Sequence, residues 1–295
     1  MMTYIIAALY HFTTIADAPA LRARLRDEFA ALGLCGSLLI APEGINGTLA
    51  GSRSAIDAML DILKAEVGLK REDVKFSESA EKPFNRLRIR LKREIITFNQ
   101  PAANPNVIKG EYVAPREWNA LIADPEVTVL DTRNSYETAI GTFKNAADPG
   151  IQTFTAFADY VRQNLDPKRH RKIAMFCTGG IRCEKASAFM KAEGFAEVYH
   201  LKGGILKYLE EIPAEESLWQ GECYVFDKRM AVSHGLKAGH YSMCCCCGRP
   251  LAHADKTHPH YEEGVSCHSC YDTRTEDDRK RFRTRQRQYE KRQEA

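Results

Sequence analysis

Two hydrophobic rhythms alternate along the chain, one of period two and one near 3.6, and their order reads as a succession of strands and helices. TYIIAALYHF (3–12) is an apolar, β-prone run. DAPALRARLRDEFAALG (17–33) places Leu21, Leu25, Phe29 and Leu32 on one helical face, with Asp17 as N-cap and Gly33 as the stop. GSLLIAPEGINGTLAG (36–51) reads as two strands about a Pro/Gly/Asn turn, in which Glu43 and Asn46 shape the turn. SRSAIDAMLDILKAEVGL (52–69) is a second amphipathic helix, and VKFSES (74–79) and NRLRIRLKREIITF (85–98) supply further strand. The order β-α-β-β-α-β predicts a ferredoxin-like sandwich over 1–98.

The pattern lapses at 99–113, where NQPAANPNVIKGEYV reads as a linker. From 114 to 226 it resumes as strict alternation. EVTVLD, KIAMFC, AEVYHL and a last strand, ECYVFD, are interleaved with helices TFTAFADYVRQNL, CEKASAFMKAEG and GGILKYLEEI. Such alternation predicts an α/β domain with a largely parallel sheet covered by helices. A Cys/His-rich segment follows over 227–275, then a basic tail over 276–295.

A length of 295 residues suits two domains or slightly more. No window has the apolar length of a membrane span, and the N-terminus lacks a basic region, so neither a membrane contact nor a signal peptide is expected and the cytoplasm is the expected location. Six of the ten cysteines fall between 244 and 270, which in a reducing compartment points to metal or catalysis rather than disulfides. A net charge of +3 argues for no partner by itself.

The chemistry concentrates at CTGGIRC (177–183). Cys177 follows a strand predicted to be parallel, at the edge where open α/β sheets bind ligands. Thr178, Gly179, Gly180, Ile181 and Arg182 can curl so that successive N–H groups face the sulfur, and the next helix points its N-terminus at the same place. Converging dipoles and a nearby arginine favour thiolate, a poised nucleophile. Cys183 reads either as a resolving thiol or as a small helix residue facing the core, and packing is favoured. Asp131 and Arg133 follow EVTVLD and reach the same edge if the strands are neighbours. They either pair and hold the loop, or Arg133 meets substrate. Glu137 is expected to be structural.

CTGGIR resembles the active-site loop of rhodanese domains. LDTRNSYETAIGTFKNA (130–146) and HLKGGILKYLEE (200–211) resemble further rhodanese stretches. Together with APEGINGTLAG, KPFNRLRIRLKREI, CTGGIRCEKASAFM and VSHGL before paired cysteines, the chain is similar over 1–275 to the rhodanese-containing, oxygen-dependent tRNA uridine(34) hydroxylases. The resemblance implies conversion of the wobble uridine to 5-hydroxyuridine, molecular oxygen as co-substrate, tRNA as partner and Cys177 as catalytic cysteine. No flavin or nicotinamide fingerprint and no two-histidine-one-carboxylate iron site is legible, so the electron donor stays unassigned. No stable protein partner is inferred. A sulfurtransferase with a Cys177 persulfide is the competing reading. It explains the loop but not the remaining features.

Those features are three. In Arg86-Leu87-Arg88-Ile89-Arg90-Leu91-Lys92 basic and aliphatic residues alternate, which predicts a strand with one buried aliphatic face and one cationic face suited to phosphate, unless acids such as Glu72, Glu78 or Glu81 pair with it. Cys244-x-x-Cys247 and Cys267-x-x-Cys270, separated by 19 residues, predict a closed four-thiolate structural zinc site. Cys245 and Cys246 stand outside that spacing, and His253, His258, His260 and His268 are expected at the surface. The tail from 279 to 292 holds eight Lys or Arg against one acid and is expected to be a frayed, solvated end that adds nonspecific RNA affinity.

Overall fold

The computed structural model describes residues 3–227 and 229–293. Met1 and Met2 of the opening run, Glu294 and Ala295 of the tail, and the Arg292 side chain lie outside the described residues. The first domain is β1 (Tyr4–Phe12), α1 (Ala18–Ala31), β2 (Cys35–Ala41), β3 (Gly44–Gly51), α2 (Arg53–Val67), β4 (Lys75–Ser79) and β5 (Leu87–Leu91). Asp17 caps α1 by accepting from the Ala20 N–H, and Ser52 caps α2 through the Ala55 N–H. The sheet order is β4-β1-β3-β2-β5, the ferredoxin-like antiparallel order with β5 added in parallel beside β2. Alternation sends Ile5, Ala7 and Leu9 of β1 into the core against Leu25, Phe29, Ile56 and Leu63 of the helices. The other face of the sheet carries Ala8 and Tyr10, with Lys75 directly opposite Ala8.

The second domain is a parallel sheet with helices on both faces. Its elements are β6 (Glu111–Val113), α3 (Pro115–Ala123), β7 (Val127–Asp131), α4 (Ser135–Thr138), β8 (Gly141–Phe143), α5 (Phe157–Asn164), β9 (Lys172–Phe176), α6 (Ile181–Ala192), β10 (Glu197–Leu201), α7 (Gly204–Glu211) and β11 (Trp219–Gly221). Strand order is β6-β10-β9-β7, while β8 and β11 form a separate antiparallel pair. One core lies between the sheet and α5 with α6, the other between the sheet and α3 with α7.

Three sequence expectations need correction. The end of the expected linker is β6, the sheet edge, because three residues are too few to display a period. ECYVFD does not join the sheet: β12 (Cys223–Tyr224) pairs with β13 (Ala231–Val232) in a short hairpin. The tail is not frayed. Beyond the small pair β14 (Ser242–Met243) and β15 (Pro250–Leu251), it forms α8 (Glu276–Gln293). Thr275 and Asp278 exchange cap hydrogen bonds, Glu276 pairs with Arg279, and the Arg283 fork holds Glu262 at 2.7 Å on each arm, so acids one turn ahead of the bases anchor a helix that would not stand alone.

Phe98 packs in the second domain, 4.5 Å from Phe154 and 5.4 Å from Phe189 between ring centres. Just before it, the buried Lys185 ammonium of α6 lies between Glu43 (2.9 Å) and Glu94 (3.0 Å). Glu43 also accepts from the Ile95 N–H, and the Asn46 amide donates to the Ile95 carbonyl, so both residues clamp the departing chain as well as shaping their turn. Burial works against the Glu94 carboxylate, but the Phe98 N–H and Lys185 outweigh it and hold its pKa below the usual range. A folded value below the unfolded one adds stability above the ordinary carboxylate range and loses it as pH falls through the folded value. Lys185→Met should therefore cost about 3 kcal/mol in urea unfolding and flatten the acid limb of the stability profile. An unchanged acid limb would refute this role.

Candidate active site

Strand β9 delivers Cys177 to the carboxyl edge of the sheet, and Gly180, at φ 102°, turns the chain into α6. The Ile205 and Leu206 N–H groups at the start of α7 donate to the carbonyls of Cys177 (3.0 Å) and Thr178 (3.1 Å). With those carbonyls drawn toward α7, the Gly180 N–H is free to point inward and donates to Cys177 Sγ at 3.1 Å. Gly204 makes the approach possible, since a Cβ there would lie 2.5 Å from the Cys177 carbonyl oxygen. Burial pushes the Cys177 thiol up. The Cys183 thiol, the Arg182 charge and the N–H groups of Cys183 and Gly180 outweigh burial and bring it well below the ordinary thiol range. Cys183 moves the other way, raised by burial and by the neighbouring Cys177 charge. Both thiols are buried, and it is Cys177 whose surroundings favour the thiolate.

Arg182 does not point freely at a ligand. Its guanidinium forks onto Glu137 at 2.7 and 2.6 Å, with both side chains buried. Glu137 itself caps α4 reciprocally with Asn134 and lies 3.4 Å from the Thr178 hydroxyl, so it ties α4 to the loop. β7 does neighbour β9, with Asp131 opposite Phe176. Asp131 and Arg133 are both 0% exposed and closed on each other at 2.6 Å. Arg133 also donates to the Gly141 carbonyl and lies over Trp219. This arrangement is the pairing alternative, an internal strut rather than a group offered to substrate.

Two residues at the loop come from the other domain. Lys75 Nζ donates to the Gly179 carbonyl at 2.6 Å. The Tyr10 hydroxyl lies so near Gly180 that a Cβ there would come within 2.7 Å of it. Tyr10 also donates to Glu184 Oε1 at 3.4 Å, and Tyr112 donates to the same oxygen at 2.6 Å. Burial raises the Glu184 carboxyl, with the two tyrosines opposing. No local sequence signal announces Tyr10 or Lys75, whose only mark is to occupy the non-core face of their strands.

Arg86, Arg88, Arg90 and Lys92 are exposed, and none forms an ion pair among the described residues. Arg86 and Arg90 both disfavour the charge on Arg88, with Arg86 the stronger influence. The aliphatic face is less complete than expected: Ile89 is buried, Leu87 partly so, and Leu91 is 41% exposed where the strand runs past its cover.

The sulfurs of Cys244, Cys247, Cys267 and Cys270 all lie within 4.8 Å of one another. Cys244–Cys270, Cys247–Cys267 and Cys267–Cys270 are 3.9, 3.8 and 3.7 Å apart. A tetrahedron with metal–sulfur arms of ~2.3 Å has edges of about 3.8 Å, so the four thiols fit one metal ion. Cys245 is exposed and Cys246 packs half-buried against the cluster, and neither they nor the four histidines belong to the four-sulfur group.

Removing Arg182 would strand the buried Glu137 carboxylate. Arg182→Met should destabilise the chain by about 3–5 kcal/mol in denaturant unfolding. A cost below ~1 kcal/mol would show that the pair is not the strut it looks to be.

Residues 4–95 match the UPF0176 acylphosphatase-like domain and residues 114–211 the rhodanese-like domain. Among solved structures the chain is similar to a rhodanese-like domain from Anabaena (19% identity, 39% of this chain and 80% of that one, TM-score 0.32) and to an acylphosphatase from Coxiella burnetii (16%, 30% and 92%, TM-score 0.23). It is 54% identical over 283 residues, 96% of this chain and 92% of the relative, to a tRNA uridine(34) hydroxylase of Rhizobium etli. A tRNA uridine(34) hydroxylase of Rhizobium leguminosarum bv. trifolii is 55% identical over 285 residues, 97% and 92% of the two chains. With identity above half across nearly its entire length, the chain belongs to the tRNA uridine(34) hydroxylase family.

Proposed function

We propose that the chain hydroxylates the wobble uridine of tRNA, position 34, at C5 to give 5-hydroxyuridine, with molecular oxygen as co-substrate and Cys177 as the reacting group. The observation that carries this reading is a buried Cys177 sulfur held toward thiolate, in a chain of that relatedness. Uracil C5 is not electrophilic. A Cys177 thiolate adding at C6 makes an enolate whose C5 bonds to one atom of O2; cleavage of the O–O bond takes two electrons and two protons from a reductant supplied from outside the chain and releases the other oxygen as water, and loss of the C5 proton then expels the thiolate. Thr178, Gly179, Gly180 and Ile181 shape the anion-holding loop, Arg182 supports its charge, and Asp131 with Arg133 keeps the strand end rigid. Cys183 packs in the core beside the loop, which supports a packing role ahead of a resolving thiol.

Arg88 and Arg90 support tRNA as the partner. They occupy the sheet face that carries Tyr10 and Lys75, linked to it across the strands by Ser37, Thr48 and Ala8. Three strand spacings, about 14 Å, separate β5 from β1, so a backbone held by Arg86, Arg88, Arg90 and Lys92 leaves a nucleoside within reach of the loop. The four-cysteine site takes zinc as a structural ion, since all four positions are protein thiols. No helix among the described residues is long and apolar enough to cross a membrane, and tRNA as the substrate supports the cytoplasm as the location.

The loop equally suits a persulfide on Cys177, so sulfur transfer is the second reading. Nucleoside mass spectrometry of tRNA from aerated cells lacking the protein decides between them. Wild type should restore 5-hydroxyuridine-derived nucleosides and Cys177→Ala should not, while Arg88→Glu with Arg90→Glu should lower the yield. An unchanged nucleoside profile, with cyanide-releasable sulfur on Cys177, would select sulfur transfer. The zinc assignment has its own test: purified chain should hold one zinc per molecule, and chelation should melt the C-terminal segment ahead of the rest. Zinc-free protein with the same melting curve would remove that assignment.

A further inference from the structure

Three buried cations of the second domain sit on carboxylates: Arg182 on Glu137, Arg133 on Asp131, and Lys185 between Glu43 and Glu94. Lys75 is different. Among the described residues no carboxylate lies within ion-pair distance of its ammonium. Nζ instead donates to the Gly179 carbonyl at 2.6 Å and lies 5.6 Å from the centre of the Tyr10 ring. Lys75 is half-buried, and its ammonium lies in the domain junction against the Gly179 carbonyl. A cation drawn out of water without a carboxylate is costly unless another anion completes it. The anion available is the sulfur two residues before Gly179.

We propose that Lys75, carried by the N-terminal domain, is a positioning residue of the Cys177 centre: it pins the Gly179 carbonyl and supplies the uncommitted positive charge against which the Cys177 thiolate, or an anion formed on it, is held. Burial pushes the Lys75 ammonium down to about 8, and the leading influence against that is the Cys177 charge. Asp73, from the turn before β4, and Glu210 of α7 add weaker support, while Lys207 of α7 opposes. On the sulfur's side the facing groups are Tyr10 of β1 with Arg182, Cys183 and Glu184 of α6. Arg182 supports the sulfur but shares its charge with Glu137, and Glu184 is an anion or a neutral acid. Lys75 is thus the cation in the set that no carboxylate holds. The first domain is then part of the reactive centre and not only a surface for substrate.

The inference rests on Cys177 as the reacting thiol but not on what it reacts with, so it stands or falls separately from the hydroxylase reading. Ultraviolet thiolate absorbance of the full chain minus that of Cys177→Ala, followed against pH, isolates the Cys177 titration. Lys75→Met should raise the midpoint by about one pH unit, a tenfold loss of thiolate below it, and Lys75→Arg should restore most of the shift. A residue that merely fills the junction would leave the midpoint where it is. The coupling must also appear from the other side: in Cys177→Ala the Lys75 amine, followed by NMR, should titrate at lower pH than in wild type. That arm keeps every junction residue and decides the matter even if Lys75→Met does not fold. An unmoved Cys177 midpoint in folded Lys75→Met, or the same Lys75 titration with and without Cys177, overturns the proposal.

Discussion

A buried sulfur can carry charge only where hydrogen-bond donors and cations replace the water it has lost. The Gly180 N–H at Cys177 Sγ is the visible part of that replacement, and much of the second domain serves it. The start of α7 takes up the loop carbonyls, Gly204 permits the approach, and Gly180 makes the turn that aims the donor. Behind the loop, the Arg182–Glu137 fork fixes the first turn of α6 to α4, and Thr132 ties the end of β7 to the Phe176 carbonyl. Each contact is modest. Their common effect is to deny the loop any other shape.

The same economy appears in the handling of charge. Arg133, Arg182 and Lys185 are all buried and each is paired with a carboxylate, so they act as rivets that are costly to break. On the sheet face that carries Tyr10, cations without an ion pair among the described residues stand at two places, the β5 row and Lys75. Between them in register lie the small side chains Ala8, Thr48 and Ser37. Such a division suits a protein that must hold a polyanion at one end of a surface and present a reactive sulfur at the other.

Much of this was legible in the residues themselves. Helical spacing from Leu21 to Leu32, the Asp17 and Ser52 caps, the strand before Cys177 and the paired Cys-x-x-Cys units are local signals, and the elements form where those signals lie. What stayed hidden depends on partners distant in the chain. Tyr10 and Lys75 look like ordinary strand residues until the two domains meet. Arg133 could not be assigned inward or outward until the Asp131 fork and Trp219 enclosed it. β6 is too short for a period, and α8 draws its order from Glu262, far outside its own window.

Lys75 and Gly179 are 104 residues apart, and the first domain contains a complete hydrophobic core of its own. A ribosome therefore releases a sheet able to fold before Cys177 has been made. The cysteine, when it emerges, finds its loop donors within the next few tens of residues, but its cation is already waiting on a finished surface. Ripening of the sulfur is thereby tied to docking, and a half-made or cleaved chain carries a blunter thiol than the whole one. Late arming keeps such a thiol from spending itself before any substrate is present.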